Sequence, residues 1–364
     1  MKQYLNKNIL IVENFFPLQT RSLRIENSLL NSGFKVHSVM WNRNGVIVKE
    51  HKNHIVFTKI SRNKLRKLLS IYSYYCFIKK LLVKNHYDVI IASHWDMLFL
   101  CSCLKQGNQK LIYDNLDMPT HSNYFIRFIF RLIENISLIK TDGIIFASRF
   151  FKDFYSKKIH SITLENRPLK KIMCGFDNRN IVTNNTLNLS FFGTLRYKAS
   201  LMLLMDVIGN LDSFTLTIRG SGFAEDLISH KNKNNFSNIL LNTEWYNYED
   251  LGKLFTSADL IWAAYPSKDF NVKNAISNKF FESLVFNKPA IFAKDTKLGD
   301  LVEKYNLGFT VNPYDYQSIS NLLIKLNEDK TLIHSIKKSQ QQFKNADNFW
   351  EDYEKDLMQF IQKI

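Results

Sequence analysis

Short apolar runs alternate along the chain with longer segments whose apolar positions recur every three or four residues. In the first half, 8–13, 35–40, 54–60, 88–93, 110–114 and 143–148 predict strands, and 20–32, 63–83, 96–105 and 124–139 predict helices. Val89-Ile90-Ile91-Ala92 has no polar alternation, as suits a strand covered on both faces of a parallel sheet. The rhythm breaks over 170–187, a polar and Asn-rich stretch, and then restarts. Strands are expected at 189–193, 215–220, 239–242, 259–264, 289–293 and 308–311. Helices are expected at 199–209, 224–230, 248–256, 278–286, 316–327, 331–344 and 348–364. Strand–helix alternation on both sides of the break predicts an α/β fold of two Rossmann-like, doubly wound domains. The expected division is 1–172, a linker 173–187 and 188–347. Sheets of this kind bind ligands outside the carboxyl ends of their strands, so the expected site is a cleft facing those ends.

A length of 364 residues suits two such domains. Charge narrows the partners: 49 Lys and Arg against 33 Asp and Glu leave +16. That balance points to nucleic acid, an acidic lipid surface or a phosphorylated substrate. Bases are spread over both halves with no zinc-finger, RNP or basic-region pattern, so no nucleic-acid partner is expected. Cys76, Cys101, Cys103 and Cys174 are too few for a disulfide scaffold and are expected to be reduced thiols, with no metal site. The polar start lacks the apolar stretch of a secretory signal. No run of about 18 apolar residues occurs either, so no spanning helix is expected.

Residues 61–84 carry Arg62, Lys64, Arg66, Lys67, Lys79, Lys80 and Lys84 among Leu, Ile, Tyr and Phe, without an acidic residue; 124–132 is similar. Bases beside aromatics on amphipathic helices suit an anionic membrane surface. The same helices would also serve by packing on the sheet with their bases in water. With the charge, this gives the expectation of a cytoplasmic protein, peripheral at the inner face of the membrane.

The most specific local signal is the segment from Asn271 to Pro289. Polar residues with good capping chemistry, Ser277 and Asn278, precede an apolar helix. The free amides and dipole of a helix start suit a diphosphate. Lys279 adds charge in the first turn, and Glu282 can accept hydrogen bonds from vicinal hydroxyls such as those of a ribose. A second signal is Phe191-Phe-Gly-Thr-Leu-Arg-Tyr-Lys198, where a strand ends in Gly193 and the loop presents Arg196 and Lys198. A third is Leu216-Thr-Ile-Arg-Gly-Ser-Gly222, whose Gly220 and Gly222 permit close backbone approach.

These segments resemble the donor half of GT-B glycosyltransferases, particularly family 4. That family places an acidic residue eight positions before a Glu. Here Glu282 matches the second position and Asn274 stands at the first. The resemblance implies that Gly193, Arg196, Lys198 and Gly220 hold the donor diphosphate with Ser277, Asn278 and Lys279. It implies that Glu282 binds the ribose and Asn274 the donor sugar. It also implies a last helix, 348–364, that crosses back to the first domain, and, with no D-x-D triplet present, a site without metal or cofactor.

In the first half, Arg21 and Arg24 lie about one turn apart after the first strand and are expected to face an anionic acceptor. Ser93-His-Trp-Asp96 ends the fourth strand and Tyr113-Asp-Asn-Leu-Asp-Met-Pro119 the fifth. Relatives often have a His where Leu116 stands, and many carry a Gly-Gly loop that this chain lacks. Asp117 or His94 is the expected group that takes the acceptor's hydroxyl proton, with Asp96 beside the acceptor. The resemblance as a whole implies a hexosyltransferase that moves a sugar from a nucleoside-diphosphate sugar to a saccharide acceptor, lipid-linked or free. Capsule, lipopolysaccharide or exopolysaccharide synthesis, with retention at the anomeric carbon, is the expected setting. The rivals are a GT-B sugar-nucleotide epimerase and a non-catalytic GT-B protein that only binds a nucleotide sugar or an assembly partner.

Overall fold

The computed structural model describes residues 7–47, 51–60, 64–177, 186–343 and 348–364, with 64–68 described by their backbone only. Contacts divide the chain into two compact units, Met1–Glu165 with Tyr353–Ile364, and Asn166–Asp352.

The first unit holds a parallel sheet in the order β3-β2-β1-β4-β5-β6-β7. Its strands are β1 (Asn8–Glu13), β2 (Lys35–Asn42), β3 (His54–Thr58), β4 (Val89–Ser93), β5 (Lys110–Asn115), β6 (Gly143–Phe146) and β7 (His160–Thr163). Every residue of β4 is buried, as its unbroken apolar run requires. Helices α1 (Thr20–Asn31), α2 (Lys64–Lys84), α3 (His94–Leu104) and α4 (Tyr124–Leu138) connect the strands. Right-handed crossovers put α2, α3 and α4 on one face and α1 on the other. Strand order reverses between β1 and β4, so the loops after these two strands diverge and open a crevice at their carboxyl ends.

The second unit repeats the plan with the order β10-β9-β8-β11-β12-β13. Its strands are β8 (Leu187–Phe192), β9 (Phe214–Arg219), β10 (Ile239–Asn242), β11 (Leu260–Ala263), β12 (Ala290–Ala293) and β13 (Phe309–Val311). Its helices are α5 (Lys198–Ile208), α6 (Ala224–Lys233), α7 (Leu251–Thr256), α8 (Phe270–Asn274), α9 (Asn278–Phe286), α10 (Lys297–Tyr305), α11 (Tyr316–Glu328) and α12 (Thr331–Phe343). Leu204, Leu216, Trp262, Ile291 and Leu323 form part of one buried cluster. Each such side chain adds about 1.5–3 kcal/mol by leaving water.

The last helix, α13 (Glu354–Lys363), belongs to the first unit. Phe360 stacks on His160 of β7 at 5.0 Å, and Ser28 of α1 donates to Glu354 at 2.7 Å. A Cβ on Gly143 would lie 2.3 Å from the Ile364 side chain, so the end of the chain seats directly on β6. Of the expected linker 173–187, residues 178–185 lie outside the described residues. Those before them are packed, not extended: Gly252 of α7 sits against the carbonyls of Ile172 and Cys174. β7, α8 and α10 were not anticipated, being short or flanked by polar residues. Of the basic stretch 61–84, residues 61–63, and with them Arg62, lie outside the described residues. Among the described residues no helix is long and apolar enough to cross a membrane.

Candidate active site

In the second unit, α9 is fixed by its own sequence. Phe280, Phe281, Leu284, Val285 and Phe286 are all buried, so the helix is held on every side. Asn287 closes it in the left-handed region (φ 53°), its backbone N–H satisfied by the Leu284 carbonyl. Ser277 is the N-cap by backbone geometry (φ −74°, ψ 149°), yet its side chain makes no cap bond. The Ser277 Oγ is buried and has no hydrogen-bond partner among the described residues. Phe280 N–H turns back to the Ser277 carbonyl at 3.0 Å, and a helix start of this kind, with an unpartnered hydroxyl at its cap, has chemistry that suits an anion.

Lys279 and Glu282 are both buried one turn inside, and Nζ donates to Oε2 at 2.5 Å. Burial opposes the charge on Lys279. The Glu282 carboxylate, then Tyr246 and Tyr265, outweigh it and hold the ammonium above its ordinary value. Burial pushes the Tyr265 hydroxyl up to about 12. The expectation of Lys279 as a free phosphate ligand is therefore corrected: the pair is internally neutral, and its ammonium is engaged by Glu282. The exposed base at this edge is Arg196, whose guanidinium lies 5.8 Å over the Tyr197 ring and whose charge is felt at Tyr265. Lys198 is turned aside, donating to Asp226 at 2.6 Å. Asn278 is exposed at the helix start. Asn274 is buried at the end of α8 and donates to the Phe270 carbonyl at 2.9 Å.

The glycines permit a close backbone approach, here between two loops of the same unit. A Cβ on Gly220 (φ 150°) would fall 1.8 Å from the Gly193 carbonyl oxygen. Leu195 N–H donates to the Ser221 carbonyl at 2.8 Å, and Phe223 N–H returns to Leu195 at 3.0 Å. The close approach is thus between the loops after β8 and β9, and it aims the Arg196 turn.

In the first unit, the carboxyl ends of β1, β4 and β5 gather a polar network. Ser22 Oγ donates to Glu13 at 2.5 Å and lies 3.3 Å from Ser93 Oγ. The other carboxylate oxygen of Glu13 is buried without a hydrogen-bond partner among the described residues. Burial pushes the Glu13 carboxyl up, against the pull of His94 and the Ser22 hydroxyl. His94 opens α3 at φ 67°, a conformation costing about 1–3 kcal/mol that persists where surrounding structure imposes it. Its Nε2 is 3.4 Å from Gln19 Nε2. Asp96 accepts from Asn14 at 2.6 Å. Asp117 is exposed beyond β5.

Arg21 is not the surface base it was expected to be. It is buried, bonds Asp114 through Nε and Nη2 (2.8–3.1 Å) and donates Nη1 to the Leu164 carbonyl at 2.6 Å. Arg24 is buried too. Helical spacing placed both on one face of α1, but that face is turned to the sheet. Glu13, Ser22, Arg219, Tyr246 and Tyr265 had no role in the sequence reading. Their signal was position: Glu13 and Arg219 end parallel strands, and Tyr246 and Tyr265 follow strands directly.

No family model matches the chain, and no curated protein matches it in sequence. Solved structures do. Sucrose-phosphate synthase from Thermosynechococcus elongatus is 12% identical, with 98% of each chain covered and a TM-score of 0.75. The chain has the GT-B fold. Anabaena HepE, in a complex with UDP and glucose, is 14% identical over 98% of this chain and 100% of its own, at a TM-score of 0.71. A UDP-forming α,α-trehalose-phosphate synthase from Burkholderia xenovorans is 12% identical over 98% and 99%, at 0.67. Identities this low carry the GT-B architecture and no residue roles.

Proposed function

We propose that the protein is a glycosyltransferase whose second unit binds a nucleoside-diphosphate sugar. The carrying observation is the start of α9, where Ser277 Oγ is buried without a hydrogen-bond partner among the described residues, next to the Lys279–Glu282 pair in sequence, with Arg196 exposed at the same edge. That UDP is bound by GT-B neighbours such as HepE supports the reading. The diphosphate sits on the α9 amides, Ser277 and Arg196, with Gly193 and Gly220 shaping the loop and Lys198 at its rim. Glu282, its orientation set by Lys279, receives the ribose hydroxyls, and Asn274 meets the donor sugar. As the anomeric C–O bond to the diphosphate breaks, negative charge grows on the leaving group, where Arg196 and the helix amides stabilise it. The acceptor hydroxyl oxygen bonds the anomeric carbon, and its proton passes to His94 or Asp117. Asp96 lies beside the acceptor.

The finer reading is a family 4-type, retaining, metal-independent transfer to a lipid-linked saccharide in surface-polysaccharide synthesis, at the inner face of the membrane. The domain division is acceptor unit first, donor unit second.

A second reading, a nucleotide-sugar binder without turnover, is favoured by Asn274, whose amide is tied to the Phe270 carbonyl where the family has a carboxylate. Thermal titration with UDP, GDP, ADP and CMP, without added metal, tests the donor site. One nucleotide should raise the melting temperature by mass action. No rise with any of them would sink the donor assignment. A rise without any sugar release or transfer from the matching nucleotide sugar would select the binder.

A further inference from the structure

Helix α4 turns apolar side chains both ways: Ile126, Ile129, Phe130 and Ile133 are half-buried, Phe130 against Trp95 at 4.6 Å. Among the described residues it buries only Glu134 and Ser137. Glu134 is fully satisfied in the interior, accepting from Tyr113 at 2.9 Å, Tyr155 at 2.5 Å and Arg131 at 3.0 Å. Ser137 returns its hydroxyl to the Ile133 carbonyl at 2.8 Å. The outward side carries Tyr124, Phe125, Phe128, Leu132, Ile136 and, just past the last turn, Ile139, all exposed, Ile139 by 83%. At 3.6 residues per turn these six fall within an arc of about 120°, whose one polar member is the exposed Asn135. A surface helix normally turns a polar side outward. A contiguous apolar stripe of this kind marks a surface that another phase or molecule covers.

Charge identifies what covers it. From Met118 to Ile133 the chain has no acidic residue. Arg127 lies beside the stripe, its guanidinium 5.5 Å over the Tyr124 ring, and Lys140 follows it, exposed. On the same face of the sheet, α2 exposes Tyr72 and Val83 with Lys79, Lys80 and Lys84, again without an acid. Apolar side chains flanked by bases alone match acyl chains beneath anionic headgroups.

We infer that the outward face of α4 inserts into the interface of an anionic phospholipid bilayer, with Arg127 and the α2 lysines on the headgroups. The inference rests on the membrane setting in the proposed function and deepens it by naming the face of the chain that meets the lipid. It is read without nucleotide, so lipid binding and donor binding fail independently. The probe is flotation of the full chain with phosphatidylcholine vesicles, with and without phosphatidylglycerol. The chain should float with the anionic vesicles and be partly released by salt. The variant F128S/L132S/I136S should lose at least about tenfold in binding while keeping its melting temperature, because the removed groups face water. Should that variant fold poorly, F128W supplies a second reading: its fluorescence should be quenched by brominated acyl chains. The inference is overturned if the wild-type chain stays out of the anionic vesicle fraction. It is equally overturned if the chain is a dimer that the serine variant dissociates, since a second copy would then cover the stripe.

Discussion

The two sheets present similar carboxyl edges, each with a buried ion pair, and differ in the groups around it. In the first unit Arg21 is locked on Asp114, while Glu13 sits among the Ser22 and Ser93 hydroxyls with one oxygen buried and without a partner among the described residues. In the second, Lys279 is locked on Glu282, but Ser277 Oγ is open and Arg196 is exposed. Each edge thus holds one locked ion pair and one buried oxygen without a hydrogen-bond partner among the described residues, and they differ in what stands nearby: hydroxyls at the first, the exposed Arg196 at the second. A satisfied buried network stabilises a shape, whereas an exposed charge such as Arg196 can exchange water for a ligand.

The largest test of this contrast removes one member of the first ion pair. Asp114→Ala leaves Arg21 buried with its carboxylate gone and should cost about 3–5 kcal/mol in urea denaturation. A cost below about 1 kcal/mol would show that the edge is wetter than described. Next comes Glu282→Ala, which strands the Lys279 ammonium. It should cost about 3 kcal/mol and abolish the nucleotide-dependent rise in melting temperature. Adding Lys279→Met should recover stability without recovering that rise. Arg196→Ala separates the two edges most cleanly. Being exposed, Arg196 should leave stability unchanged when removed, while nucleoside-diphosphate affinity falls about 10- to 100-fold by calorimetry. Equal affinity in the variant would move the diphosphate elsewhere.

Smaller effects come from the groups left unmatched. Glu13 holds its proton more tightly in the folded state, so its contribution is present below its unfolded pKa and is lost as pH rises through the raised value. Glu13→Gln should therefore match the wild type in acid and gain on it toward neutral pH in denaturation midpoints. A constant offset would mean the carboxyl is solvated. Ser277→Ala removes a hydroxyl without a partner, so stability should hold or rise slightly. Nucleotide affinity should drop by about 0.5–1.5 kcal/mol.

The strand and helix series and the repetition of the α/β plan were legible in the chain because apolar runs and helical periods are local, whereas the return of the last helix was expected only from the GT-B resemblance. The start of α9 was legible because its cap residues and apolar face are contiguous. Partnership was not. That Arg21 would turn inward depends on Asp114, 93 positions away, and on the Leu164 carbonyl. That Gly220 serves Gly193 depends on β8 and β9 lying side by side. The outward turn of the α4 stripe was one of two readings that the sequence left open. Its amphipathic period is evident, but the period does not say which side faces in. By itself the sequence determined the elements, their order and the chemistry available at strand ends. Only the tertiary structure decided which charges neutralise each other and which stay open, because burial and distance set the strength of an ionic contact and neither is a property of neighbouring residues.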